Sequence, residues 1–377
     1  MTRFSFARAW AVLAKEFTQM RRDRITFAMM LMIPVIQLLL FGYAINSDPR
    51  HLPTAVLVED DGTFARDVLA AMKNSTYFDI TGVARSSAEL DRMMATGKAQ
   101  FTVTIPADFT RRLVRHDDPQ ILVEADASDP VATGGAAAAL ALLPAAAVQH
   151  DLVGALAPVR SDTGPFQVVV HRRFNPEGLS SYNIVPGLLA IVLSLTLVMM
   201  TALGVTREIE RGTMESLLAT PVRPLEVMIG KLAPYVLVGV VQMAVILTMA
   251  RGLFDVPMQG GWAALFFGAF LFIVGSLALG FFISTLADNQ RQAMQISFFY
   301  MMPSILLSGF MFPFSGMPVW ARLIGTAIPV THFLRIVRGA LLKGYGFAEM
   351  WPSLGALAIF VVVVSGLAVM RYRTTLD

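Results

Sequence analysis

The chain has 377 residues, of which 55% are apolar and only 15% are charged, and its mean hydropathy of +0.61 is higher than a soluble domain needs to fill its core. This composition excludes an ordinary soluble protein, and the lack of cysteine excludes disulfides, thiolate metal sites and cysteine nucleophiles. The net charge of +3 is spread along the chain and partly flanks apolar segments, which indicates membrane topology rather than nucleic-acid binding.

Residues 1–24 form a basic segment with apolar side chains at helical spacing. Basic residues fall between these apolar positions, which is typical of an amphipathic helix lying on the inner membrane surface. A basic segment before a first span also predicts a cytoplasmic N-terminus, and the lack of a small-residue cleavage site predicts an uncleaved anchor. The apolar positions of this elbow-like helix are Phe6, Trp10, Leu13 and Phe17.

Six windows of about 20 residues lack Asp, Glu, Lys and Arg and are long enough to cross a membrane. An even number of spans returns the C-terminus to the side of the N-terminus. The sequence therefore predicts a polytopic α-helical membrane protein with both termini in the cytoplasm. The windows are Ile25–Asn46, Ile184–Thr206, Leu232–Ala250, Trp262–Ala287, Gln292–Phe312 and Leu354–Met370.

Residues 47–182 are predicted to lie outside the cell membrane, between spans one and two, as an extracytoplasmic α/β domain. Short apolar runs with strand character alternate there with helix-like stretches. The alanine-rich stretch 130–158 resembles a seventh span, but Gly134-Gly135 and Pro144 are expected to interrupt it, which favours one or two soluble helices. Acidic triplets such as Glu59-Asp60-Asp61 are typical of solvated turns rather than cation sites. The five strand-like runs are Thr54–Val58, Tyr77–Val83, Gln100–Ile105, Gln120–Glu124 and Phe166–His171.

Residues 183–377 contain spans two to six. Because successive spans cross the membrane in opposite directions, residues 313–353 between spans five and six are predicted to be external. They carry several basic side chains, although external loops usually carry few. Prolines divide this segment, and neither 319–328 nor 330–342 is a clean span. We expect two short re-entrant or interfacial helices. Their basic residues would anchor to outer lipid headgroups, or contact a polar substrate as it leaves the membrane: Arg322, Arg335, Arg338 and Lys343.

The sequence lacks the common motifs for nucleotide binding, zinc binding and nucleophilic catalysis. The P-loop G-x-x-x-x-G-K-[ST], the zinc motif H-E-x-x-H and the nucleophile elbow G-x-S-x-G are all missing, so we assign no catalytic residue and no metal site. The predicted spans also lack the ionisable side chains with which proton- or sodium-coupled carriers work. If the protein is a pump, its energy must come from another polypeptide.

The cytoplasmic segment 207–231 between spans two and three is longer than a minimal hairpin. Thr213 is suited to cap a short helix over 214–219, and Pro221 limits its length. Apolar side chains ringed by charges suit a shallow groove on another protein, although a plain surface hairpin is the alternative. The candidate residues are Arg207, Glu208, Glu210, Arg211, Gly212, Thr213, Met214, Glu215, Leu217, Leu218, Thr220 and Pro221.

These residues resemble the coupling segment of the permease subunits of ABC-2-type ATP-binding cassette exporters, in the branch of bacterial multidrug exporters with a large periplasmic loop. The string R-E-x-E-R-G-T-M-E-S-L-L-A-T-P-V-R-P-L-E covers residues 207–226, and G-K-L-x-P-Y follows at 230–235. A second block, L-S-G-F-M-F-P, covers residues 307–313. The resemblance extends over essentially the whole chain.

The resemblance implies a transport permease of the bacterial inner membrane that is not itself an enzyme. Two such chains, or one chain and a sister permease, would join two ABC ATPase subunits on separate polypeptides. ATP and magnesium would bind those subunits, so no cofactor is expected in this chain. Membrane lipids and a periplasmic adaptor protein are further partners, and nucleic acid is not.

The cargo is the least determined property of the chain. A charge-free corridor suits a hydrophobic or amphiphilic compound that is drug-like or lipid-like. A membrane-anchored receptor or assembly platform with an external ligand-sensing domain is the alternative function, and a lipid-modifying enzyme ranks last because no catalytic constellation is visible. One group of apolar residues at helical spacing would line a substrate path. The alternative is that these residues only pack against other helices and lipid. They are Phe298, Phe299, Met301, Met302, Phe310 and Phe312.

Overall fold

The computed structural model describes residues 49–128, 130–148, 164–211 and 224–371. A sheet region extends to residue 173, and a helical region begins at residue 180. The predicted amphipathic helix of residues 1–24 and the first predicted span, 25–46, lie outside the described residues.

Within the described residues, five strands form one mixed sheet in the order β2-β1-β3-β4-β5. Strand β1 pairs in parallel with β2 and β3, β3 and β4 are antiparallel, and β4 and β5 are parallel. Each predicted strand is confirmed to within two residues at either end. The strands are β1 Leu52–Val58, β2 Phe78–Val83, β3 Phe101–Ile105, β4 Gln120–Asp126 and β5 Gln167–Arg173.

The helices of the sheet region are α1 Thr63–Asn74, α2 Ser87–Ala95, α3 Phe109–Arg115 and α4 Pro130–Ala147. Helix α4 runs without a break through Gly134, Gly135 and Pro144, so the expected interruptions are wrong for this part of 130–158. Its residues Ala136, Leu140 and Leu143 share one face and are buried in the core of the sheet region. That packing compensates for the hydrogen bond that an interior proline removes, and it makes α4 a packed helix of the sheet region rather than a seventh span.

A buried carboxylate joins β1 to α3. Asp60 is only 7% exposed, and its two oxygens accept hydrogen bonds from the backbone N–H of Gly62 and of Thr110 at 2.6 Å each and from the Thr110 hydroxyl at 3.0 Å. Burial alone would raise the pKa of Asp60, but these three donors outweigh it and hold the pKa below its ordinary value. The expectation of a solvated acidic turn is therefore wrong for Asp60, which has a structural role.

Four stretches in the helical region are long and apolar enough to span a membrane: 180–210, 232–254, 262–284 and 347–371. Two short helices lie where they are expected, at 319–328 and 330–342, although the second gives way to a π-helical turn at Gly339–Lys343. Their re-entrant or interfacial position stays a prediction. The helices are α5 Ser180–Glu210, α6 Pro224–Phe254, α7 Trp262–Ser284, α8 Gln290–Leu307, α9 Val319–Ala327, α10 Pro329–Arg338 and α11 Phe347–Arg371.

Helix α7 occupies the centre of the helical region and packs against α5, α6, α8, α10 and α11. Phe272 of α7 stacks on Phe333 of α10 with ring centroids 4.2 Å apart. Gly280 allows α5 and α7 to approach closely, because a Cβ there would lie 2.6 Å from the carbonyl oxygen of Val198. Small residues permit such backbone contacts where apolar surroundings provide little drive for helices to associate.

The fifth predicted span, 292–312, is shorter in the structure than expected. Helix α8 ends at Leu307, and Gly309 follows with a left-handed φ of +84°, which an L-residue with a side chain rarely adopts. Phe310 and Phe312 therefore lie beyond the helix. Helix α8 is also rich in glutamine and is not among the four long apolar stretches.

The helical region has two distinct ends. At one end, the Tyr182 hydroxyl donates to the carbonyl oxygen of Asp255 and the Gln259 N–H donates to that of Leu341, both at 3.3 Å. At the other end, Glu210 meets the start of α8. The sheet region, the loop 255–261 and the turn 339–345 share the first of these ends, because the turn also contacts β4 through Lys343 and Asp126.

The hydrogen bonds of Asp60 generate a stability prediction. We expect Asp60→Asn to lower the free energy of unfolding of the sheet region at pH 7 by about 1–3 kcal/mol, because the amide is a weaker acceptor and leaves donors poorly satisfied. In the wild type, the contribution of Asp60 is complete above the unfolded-state pKa of about 3.9 and is lost as the pH falls through the lower folded-state pKa.

Denaturant-dependent hydrogen exchange of β1 and β3, corrected for intrinsic exchange rates, measures this free energy at each pH. Asp79→Asn, at an exposed position on β2, is the matched control and should have little effect. If Asp60→Asn and wild type have the same free energy of unfolding between pH 3 and pH 7, Asp60 does not have the structural role that its hydrogen bonds indicate.

Candidate functional site

The first candidate site lies at the end of α5, on the side opposite the sheet. Arg207, Glu208 and Glu210 belong to the last turn of α5, and Arg211 follows directly as its C-terminal cap residue. Arg207, Glu210 and Arg211 are exposed. Helix α5 continues four residues beyond the predicted span 184–206, so the first residues of the candidate segment belong to this helix, and their contact with another protein stays a prediction.

Glu210 binds the first residue of α8. The backbone N–H of Gln290 donates to Oε1 of Glu210 at 2.8 Å, and the side-chain amide of Gln290 donates to Oε2. Nε of Arg207 in turn donates to Oε1 of Gln290 at 3.4 Å. The end of α5 is therefore tied to the start of α8 by two side chains of the candidate segment.

The start of α8 is itself fixed by a capping arrangement. The side chain of Asn289 accepts a hydrogen bond from the backbone N–H of Gln292 at 3.0 Å, and the side chain of Gln292 accepts one from the N–H of Asp288 at 2.9 Å. This pair is similar to a capping box, except that Gln292 reaches the N–H one residue before the cap residue Asn289, and it orients the first turn of the helix. The N-x-x-Q spacing at 289–292 is a sequence signal for such a cap.

The remaining residues of the candidate segment lie outside the described residues. This applies to the predicted short helix over 214–219, and to the elbow positions Phe6, Trp10, Leu13 and Phe17. These predictions stay predictions. The residues concerned in the candidate segment are Gly212, Thr213, Met214, Glu215, Leu217, Leu218, Thr220 and Pro221.

The residues of the predicted substrate path occupy different environments in the described structure. Phe298 is 49% exposed on α8, whereas Met301 on the same helix is 2% exposed and belongs to the apolar core. Phe299 and Met302 are partly buried on α8. Phe310 fills the notch at Gly187, where a Cβ would lie 2.0 Å from its ring, and Phe312 packs against the same core. A path along them stays a prediction.

The second candidate site joins the sheet region to the opposite end of the helices. Lys343, in the π-helical turn, forms an ion pair with Asp126 at the end of β4, and both side chains are at most 10% exposed. The ammonium group of Lys343 also lies 5.0 Å from the ring centroid of Phe174, which provides a cation–π contact. A buried pair of this kind holds two parts of the chain in one arrangement, because separating them leaves charges without partners.

Arg338 fixes α10 against α5 beside this ion pair. Its guanidinium group donates to Oδ1 of Asn183 on α5 and to the carbonyl oxygen of Gly309, the latter at 3.2 Å. From the sequence, Arg338 and Lys343 are expected to reach lipid headgroups or substrate. The structure uses both of them for contacts within the chain. In the described ranges, no three His, Asp or Glu side chains are grouped so that they would hold a metal ion.

Comparison with known proteins gives a consistent result over the whole chain. A family profile described as "ABC-2 family transporter protein" matches residues 24–370. The chain is 30% identical to "Probable multidrug ABC transporter permease YbhS" of Escherichia coli, with 99% of this chain and 98% of that protein covered. It is 28% identical to "Probable multidrug ABC transporter permease YbhR" of the same species, covering 98% and 99%, and 28% identical to "Inner membrane transport permease YhhJ", covering 76% of each.

The ion pair of Lys343 and Asp126 generates the second prediction. We expect Lys343→Gln or Asp126→Asn alone to destabilise the docking of the sheet region by about 3–5 kcal/mol, because each change leaves one buried charge uncompensated. The apolar double variant Lys343→Met with Asp126→Leu should be destabilised less than either single variant. Hydrogen exchange of β4 and of the turn 339–345 measures the effect.

The exposed pair of Arg111 and Asp108, 3.9 Å apart, is the control for this experiment. Removing one member of that pair should change stability by less than about 1 kcal/mol, because solvent screens exposed charges. Single variants at Lys343 and Asp126 that behave like this control would show that the buried pair does not hold the two regions together.

Proposed function

Because the chain belongs to the ABC-2 family of transporter proteins, we propose that it is the membrane-spanning permease subunit of an ATP-driven exporter. The cargo proposed is a hydrophobic or amphiphilic compound, drug-like or lipid-like. The observation that carries the proposal is the family match over residues 24–370, to which the four long apolar helices add an integral membrane location. Two similar proteins of the same length are named multidrug transporter permeases, which supports an exported compound of this kind.

The proposed topology has six spans, with both termini in the cytoplasm of a bacterial cell. Window 25–46 and helix α8 would join the four long apolar stretches to make six. The sheet region would then form an extracytoplasmic domain between spans one and two, in the periplasm. Supporting this arrangement, the sheet lies at the end of the helices opposite to Arg207 and Glu210, so a membrane around the helices would separate the two regions.

ABC-2 permeases work with ABC ATPase subunits, and we place the contact with those subunits at residues 207–231. Two copies of this chain, or one copy and a sister permease, would bind two ATPase subunits that supply ATP and magnesium. Closure of the ATPases would push on this segment. Glu210 and Gln290 would pass the movement from α5 to α8, which carries Phe298 and Met302 of the proposed substrate path.

The first test concerns binding of the ATPase. We expect charge reversal at Glu208 and Arg211, or deletion of residues 214–218, to abolish co-purification of the permease with its ATPase from membranes. The matched control reverses Arg172 and Glu177, which are exposed at the opposite end of α5, and it should co-purify normally. Undiminished co-purification of the charge-reversed variant and of the deletion variant would contradict the proposed contact.

The second test separates binding from coupling. Glu210→Ala should leave co-purification intact, because the Glu210 carboxylate binds Gln290 within this chain. It should lower cargo-stimulated ATP turnover several-fold, because the hydrogen bonds between the end of α5 and the start of α8 are lost. The exchanged pair, Glu210→Gln with Gln290→Glu, rebuilds the side-chain hydrogen bond in the reverse direction and should restore most of the turnover. A receptor or assembly platform, the alternative function, predicts no cargo-stimulated turnover in any variant.

A further inference from the structure

A cavity of about 530 Å³ lies between the sheet region and the external helices. Its size falls in the range of small-molecule sites, which is about 300–1,000 Å³. One wall comes from β4 and nearby loops of the sheet region, and the other from α9, α10 and the π-helical turn. The cavity is separate from the segment that we assign to the ATPase, which lies at the other end of α5.

The charges that line the cavity are predominantly positive. Four basic side chains face two acidic ones: Arg322, Arg335, Arg338 and Lys343 against Asp126 and Glu349. Lys343 is neutralised by Asp126, and Glu349 accepts a hydrogen bond from the N–H of Gly346 at 2.9 Å. Neither Arg322 nor Arg335 forms an ion pair with a carboxylate among the described residues. The lining therefore has an excess of two positive charges.

The same cavity has apolar walls and lies beside an interfacial helix. Arg335 lies over the ring of Phe314, with 4.9 Å between the guanidinium carbon and the ring centroid, and Met350 also lines the cavity. Helix α9 presents exposed Val319, Trp320, Leu323 and Ile324 outward, while Ala321 and Gly325 face the core. An exposed apolar face with a tryptophan is typical of a helix at the boundary between lipid and water. If α9 lies at this boundary, Arg322 brings its positive charge to the level of the lipid headgroups.

From this geometry we propose that the cavity binds the anionic phosphate group of an amphiphile. Arg322 and Arg335 supply planar guanidinium groups, which pair with phosphate oxygens through two parallel hydrogen bonds. Phe314 and Met350 provide apolar surface for the adjoining part of the molecule. The phosphate belongs either to a membrane phospholipid or to a soluble phosphate ester, and the two sources share this recognition chemistry. The proposal does not depend on transport and concerns the permease without its ATPase.

Native mass spectrometry of the full-length permease in neutral detergent tests the proposal. The probes are phosphatidylglycerol and phosphatidylcholine, added in equal amounts, and sn-glycerol 1-phosphate as a soluble competitor. Wild type should bind phosphatidylglycerol in preference, and the double variant Arg322→Gln with Arg335→Gln should lose this preference by about tenfold or more. The control, Arg111→Gln with Arg115→Gln, changes the net charge equally on the far side of the sheet region and should bind as wild type does.

A variant that is expected to strengthen binding tests the proposal even if the double variant fails to fold. Glu349→Gln keeps a side-chain oxygen that accepts from Gly346 but raises the positive charge of the lining by one, so it should bind phosphatidylglycerol more tightly than wild type. If sn-glycerol 1-phosphate displaces phosphatidylglycerol from the permease, a soluble phosphate ester is sufficient for binding. If it does not displace phosphatidylglycerol, the ligand is the lipid. Equal binding of both lipids by wild type, or an equal loss in the control, would overturn the proposal.

Discussion

The structure depends on the requirement that a chain in hydrocarbon satisfies its backbone polar groups within its own helices and keeps charges out. The window 184–206 of α5 carries no charged residue, and α7 carries none along its whole length. Packing inside the bundle therefore relies on close apolar contact, as at Gly280 and between Phe272 and Phe333. The charged contacts of the helical region, such as those of Glu210, Arg338 and Lys343, lie at the two ends of the bundle, and both candidate sites are found there.

Helix α5 connects these two ends. Its 31 residues extend over about 46 Å at 1.5 Å per residue. Asn183 near its start binds Arg338 of α10, and Glu210 at its end binds Gln290 of α8. A continuous helix with one specific contact at each end can carry a displacement from one end to the other. In the proposed transporter, the ATPase acts at the Glu210 end, and the external helices and the phosphate-binding cavity respond at the Asn183 end.

The fold was largely predictable from sequence where a single physical pattern dominates. Short apolar runs identified the five strands, of which β1 and β3 are buried along most of their length rather than at alternate positions. Lack of charge identified the long apolar helices. Helix α4 was misjudged at Gly134 and Pro144 because packing of Leu140 and Leu143 outweighs weak local propensity. The end of α8 at Leu307 was missed because apolarity continues to Phe312 while backbone conformation changes at Gly309. The partners of Glu210, Lys343 and Arg338 were not predictable, since residues 80, 217 and 155 positions apart meet only through the tertiary fold.

The central claim is that this chain moves its cargo only when a separate ATPase drives it through residues 207–231. Efflux of a fluorescent amphiphile, measured in sealed vesicles that contain the permease with or without its ATPase, tests this claim most directly. The account predicts efflux only when both proteins and hydrolysable ATP are present. Efflux at the same rate from vesicles that contain the permease alone would contradict it.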